Sequence, residues 1–90
     1  MSLLRRYWFE FEPLSKPSPL NLGCGVTAYS YEDAVALMGE LVFNQPPFSE
    51  DPPPKIVRVL EDVDVSKLDQ GHVIPNMGLV VDRGVWFPKR

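Results

Sequence analysis

Of the 90 residues in this chain, one stretch alone carries convincing helical periodicity, Ser30 to Phe43, so the remainder must build its core from strands and turns. Ala34, Leu37, Met38, Leu41 and Val42 recur at three- and four-residue spacings and fall on one stripe, with Glu32, Asp33, Ala36, Gly39 and Glu40 off it. Ser30 is placed to cap the helix, and Asp33 stands where a capping-box carboxylate would. Glu32 and Asp33 also suit the positive end of the helix dipole. Asn44 suits a left-handed C-terminal residue, and Pro46-Pro47 forbids continuation. A single apolar stripe needs a single apolar partner surface.

That surface is legible as strands. Tyr7, Phe9 and Phe11 alternate with Arg6, Trp8, Glu10 and Glu12, the pattern of a half-buried strand that Pro13 stops. Leu20 to Tyr29 reads as a second strand, with Leu22, Cys24, Val26 and Ala28 inward and Gly23, Gly25 and Thr27 outward. Two glycines on one face leave a bare trough, and Trp8 on the adjacent strand is the natural cover for it. Ile56 to Leu60 is a third strand; an exit near Glu61 would return Val63 and Val65 to the core. Ser66 to Gly71 reads as a turn with Leu68 inward, and His72 to Ile74 as extended chain. Leu79 to Val81 and Gly84 to Phe87 read as a hairpin. The predicted fold is a single α+β domain over 1–90: a mainly antiparallel sheet of four or five strands with the helix on one face, in the order β-β-α-β and then the hairpin. On the reverse face Trp8, Tyr29 and one of Trp86 or Phe87 are expected to stand exposed, as an interface.

Ninety residues support one thin core. The 44% apolar content is too high for a disordered chain. No apolar run approaches the ~18 residues of a membrane span, and no signal-peptide pattern opens the chain, so a cytoplasmic protein is expected. The charge of −3 is unevenly spread: residues 24 to 54 hold Glu32, Asp33, Glu40, Glu50 and Asp51 with no cation, whereas Arg83, Lys89 and Arg90 make the end basic. This opposes broad phosphate binding and suits a basic protein partner or a plain solvated surface. The segment 45–55 holds five prolines, none three apart, which reads as a stiff loop rather than a PxxP ligand.

Chemistry is sparsely represented. Gly23-Cys24-Gly25-Val26-Thr27-Ala28 matches the letters of a dinucleotide fingerprint, but it lies inside a strand, and the helix cap comes later, at Ser30. Cys24, the only cysteine, sits between Leu22 and Val26 as a buried, inert thiol and excludes a disulfide within the chain. His72 with Asp62, Asp64, Asp69 and Asn76 is the one arrangement from which an acid–base or metal site can be assembled. Arg5, Arg6 and Arg58 beside Tyr7 and Trp8 imitate a nucleic-acid platform, against which the acidic total and Glu10 and Glu12 argue.

Leu22-Gly23-Cys24-Gly25-Val26-Thr27-Ala28, together with Ile74-Pro75-Asn76-Met77-Gly78 and Gly84-Val85-Trp86-Phe87-Pro88, resembles stretches of small uncharacterised bacterial single-domain proteins. The resemblance implies no activity and adds no site residue. The residues therefore point first to a non-catalytic protein-binding module, of inhibitor or immunity type or a homodimer through its open sheet face, with no cofactor, no metal and no membrane partner. A small enzyme or metal site around His72 stands second, and nucleic-acid binding third.

Overall fold

The structure, a computed structural model, describes residues 3–14, 18–44, 54–68, 70–71, 73–78 and 80–88. Helix α1 runs Tyr31–Met38 from an N-cap at Ser30, whose Oγ accepts the Asp33 N–H at 3.1 Å. The Asp33 carboxylate reaches back to the Tyr29 N–H at 3.1 Å, one residue beyond the donor a capping box would use. The stripe is buried as its spacing requires, with Ala34, Leu37, Met38 and Val42 inside.

After Met38 the helix widens into a π turn over Gly39–Phe43, and the Asn44 N–H donates to Gly39 O, five residues back, at 3.1 Å. The wider turn lets the adjacent Val42 and Phe43 both enter the core, where Phe43 meets Phe11 edge-on at 5.7 Å. Asn44, with φ −97°, is not left-handed, a correction that follows from the π bond satisfying the terminus instead. Gly39 has helical φ and ψ, and a methyl group there would meet nothing within 4 Å. Gly39→Ala is expected to stabilise the fold by about 0.5–1 kcal/mol, chiefly by restricting the unfolded chain. A lower urea midpoint for the variant would show that the turn depends on glycine.

Four antiparallel strands form the sheet: β1 (Arg5–Phe11), β2 (Cys24–Ala28), β3 (Ile56–Glu61) and β4 (Gly84–Phe87), in spatial order β3-β1-β2-β4. The α+β architecture with one helix on one face is thus the observed one. Three local expectations are corrected. Leu22 is exposed and precedes β2; a 3₁₀ turn over Pro19–Asn21 reverses the chain and buries Leu20 in its place. The closing strand has no hairpin partner among the described residues: Val80 and Val81 lie in bends, Leu79 lies outside the described residues, and β4 pairs with β2. Val73 is likewise not extended but leads into a 3₁₀ turn over Ile74–Asn76.

The sheet has two covered faces. Tyr7, Phe9, Phe11, Cys24, Val26 and Ala28 pack under the helix. On the reverse side Trp8, Trp86, Phe87, Val63 and Val73 form a second core, with Leu60, Val65, Leu68, Met77 and Val80 against it. The chain turns over this face at Asp62, whose φ of +53° is a left-handed conformation that aspartate tolerates better than most residues. The expectation of an open reverse face is therefore corrected. Its glycine trough is filled from within: a Cβ at Gly23 would overlap the Trp8 indole, and one at Gly25 would overlap Trp86. A bulge between Gly25 and Val26 lets Trp86 and Phe87 reach the same side, while Val85 joins the helix side.

Candidate functional site

Of the four aromatics expected at an interface, Trp8, Trp86 and Phe87 are buried within the chain, and Tyr29 alone is exposed. Trp8 stacks on Trp86 at 5.9 Å and tilts against Phe87 at 5.6 Å. The buried Trp86 Nε1 has no hydrogen-bond partner among the described residues, a loss of about 1–3 kcal/mol that the surrounding apolar contacts offset.

The second arrangement is only partly visible. His72 and Asp69 lie outside the described residues, as does the side chain of Asn76. Asp64 is occupied locally: its Oδ1 accepts from Ser66 N and Ser66 Oγ at 3.1 and 2.7 Å, and these bonds hold its pKa below the usual range. Such a carboxylate caps a 3₁₀ turn over Val65–Lys67 and is poorly suited to carry a proton. Asp62 lies 3.8 Å from the Arg5 guanidinium. Among the described residues no three His, Cys, Asp or Glu side chains are grouped to hold a metal.

The glycine-rich stretch is no nucleotide cradle. It sits in β2 with both glycines under indole rings, and the helix opens only at Tyr31. Cys24 is fully buried, and burial pushes its thiol far up, so it stays protonated and unreactive at neutral pH. For the nucleic-acid reading, Arg58 lies 3.6 Å from Glu10 and Trp8 has no free ring face to stack a base.

What the fold assembles instead is a surface at one end of the sheet. Pairing of Arg5 with Ala28 and of Arg6 with Thr27 brings Leu4 alongside Tyr29. Thr27 Oγ1 donates to Val80 O at 2.6 Å and pins the last loop over this end. Leu4, Arg5, Arg6, Thr27, Asp62, Val80 and Val81 then line a concavity of about 270 Å³, in which Asp62 is the one acid beside two arginines. Of its lining Leu4 and Val81 are 39% and 69% exposed, and Leu3 and Tyr29, next in the chain to Leu4 and Ala28, are exposed as well, large apolar groups that the fold itself does not use. Arg6 is exposed and makes no ion pair within 4 Å among the described residues, though its charge acts on Asp64; Arg5 has only long contacts, 3.9 Å to Glu61 and 3.8 Å to Asp62. Leu4 and Val81 were not among the residues singled out in the sequence, because neither belongs to a periodic element. The signal was an apolar pair, Leu3-Leu4, directly ahead of Arg5-Arg6.

One clamp holds this end rigid. The Arg83 guanidinium donates through Nε to Asp33 Oδ2 at 2.9 Å and through a terminal nitrogen to Oδ1, and lies 5.9 Å from the Tyr29 ring centre. The Arg83 bonds, and then the Tyr29 N–H, lower the Asp33 pKa from 3.8 to about 2. A depressed carboxylate stabilises the fold above the unfolded value and loses that contribution as the pH falls from about 4 towards 2. Asp33→Asn is expected to be less stable than the wild type at pH 6, with the difference shrinking below pH 3. Urea titrations at both pH values check this; a difference independent of pH would assign the loss to something other than the charge.

No family model, no curated protein and no solved structure matches this chain. Among the described residues no helix is long and apolar enough to cross a membrane.

Proposed function

We propose that this chain is a non-catalytic protein-binding module whose docking surface is the sheet end formed by Leu4, Arg6, Tyr29 and Val81. The observation that carries the reading is a concavity walled by exposed Leu4 and Val81 and by Arg5 and Arg6, two cations against one acid, Asp62, with Tyr29 exposed just after the strand that holds Thr27. Arginine and tyrosine beside aliphatic groups are the residues that dominate binding energy at protein interfaces. Their charge selects the partner: a segment presenting a carboxylate next to an aliphatic or aromatic side chain. A basic partner has less support. Asp33, the helix carboxylate expected in an acidic patch, is already engaged by Arg83, and Glu50 and Asp51 lie outside the described residues. Binding without chemistry is also the working mode of small inhibitor and immunity-type proteins, the class in which we place this one.

Selection of a displayed random-peptide library on the immobilised protein tests the reading. Enriched peptides are expected to pair Asp or Glu with a large apolar residue and to bind more weakly as salt rises. Arg6→Ala and Val81→Asp should each weaken them roughly fivefold or more while leaving the melting temperature unchanged. Peptides without an acid, or binding indifferent to both variants, would overturn the assignment.

A further inference from the structure

The sheet ends on two edges, and they differ. At β4, a strand of four residues, the Gly78 N–H donates to Trp86 O at 2.7 Å, so part of that edge is already used. At β3 the bonds from Val63 N–H to Arg6 O and from Glu12 N–H to Lys55 O mark the side that faces β1. With Leu60 opposite Trp8 and Arg58 opposite Glu10, alternation turns the N–H and C=O groups of Val59 and Glu61 outward. No strand takes them up among the described residues.

The edge has one of the usual protections, a register shift that leaves Val57 as an extra residue between Ile56 and Arg58, and few others. Over its six residues β3 has no proline, and its one interior charge, Arg58, leans towards Glu10 on the sheet face rather than along the edge. Val57 is 58% exposed. We propose that β3 pairs antiparallel with β3 of a second copy, joining the two sheets into one continuous sheet around a two-fold axis.

The charge order along the strand selects that occupant. Lys55 and Arg58 lie towards its start, Glu61 and Asp62 at its end. Antiparallel pairing with an identical strand sets each basic end beside the partner copy's acidic end, whereas parallel pairing sets like beside like. The backbone gain is modest because water satisfies the free edge, so a dimer that dissociates on dilution is expected. This surface is separate from Leu4 and Val81, and its failure would leave the peptide-binding reading standing.

Sedimentation equilibrium of the full chain from micromolar to millimolar concentration, with backbone amide exchange at both ends of that range, tests the proposal. A reversible dimer is expected, with the Val59 and Glu61 amides protected only at high concentration. Lys55→Glu and Glu61→Lys should each weaken the dimer roughly fivefold, the pair together should restore it, and Val57→Lys should abolish it, all with unchanged circular dichroism. A monomer at every concentration, a dimer indifferent to these variants, or amides already protected in the dilute monomer would each overturn it.

Discussion

Gly25→Ala is expected to destabilise the fold by about 3 kcal/mol or more, at or above the upper end of ordinary overpacking. The added methyl would overlap three atoms of the Trp86 six-membered ring, and neither side of that contact can give way easily. Gly25 belongs to β2, an interior strand held by β1 on one side and β4 on the other. Trp86 is 1% exposed and wedged against Trp8. A domain of this length is stable by only about 5–13 kcal/mol, so the variant would lose a large share of its margin. The coupling is separable from any general effect of the substitution. In a Trp86→Leu background the same Gly25→Ala change should cost much less, because the overlapping ring is gone, and chemical denaturation of the four proteins of that cycle measures the difference. Equal costs in both backgrounds would show that the indole is not what the glycine accommodates.

Phe9→Ala is expected to cost about 3–5 kcal/mol, the range for removing a buried aromatic ring. Phe9 is 0% exposed, sits in the strand bonded on both sides, opposite Cys24 and Val59, and has the rings of Tyr7 and Tyr31 at 6.1 and 5.9 Å. Its loss opens a cavity at the centre of the helix-side core, where relaxation would have to move β1 or α1. Phe9→Leu, which keeps much of the volume, should recover more than half of the loss. Thermal melts of the three proteins check the order; an alanine variant as stable as the leucine variant would mean that the site collapses freely.

The two substitutions probe two cores, and the cores were unequally legible. The helix-side core follows from local periodicities: the stripe from Ala34 to Val42, the alternation of Tyr7, Phe9 and Phe11, and Cys24 between apolar neighbours. The reverse core is built by a segment without a period. Val63, Val65, Leu68, Val73, Met77 and Val80 are spaced irregularly through 3₁₀ turns and bends, and each is buried or half-buried only because the chain lies back across Trp8 and the glycines. The glycine trough and its Trp8 cover were readable from alternation, but the second indole was expected on that face only as an exposed group, one of Trp86 or Phe87, since its seat over Gly25 comes through a bulge in a pairing some sixty residues away in sequence. The candidate surface was less legible still. Leu4, Tyr29, Val81 and Arg83 come from four separate places in the chain and meet through strand register and the Arg83–Asp33 clamp.

Residue order alone therefore determined the helix, its Ser30 cap, the faces of the first strand, the fate of the single thiol and the α+β class. These are settled by groups within a few residues of one another, where side-chain period and hydrogen-bond reach leave little choice. The three-dimensional packing decided which segment covers the second face, which edge stays free and which apolar groups remain outside. Those outcomes depend on competition among distant segments for a limited area of pleated surface, and that competition is resolved only when the whole chain is closed.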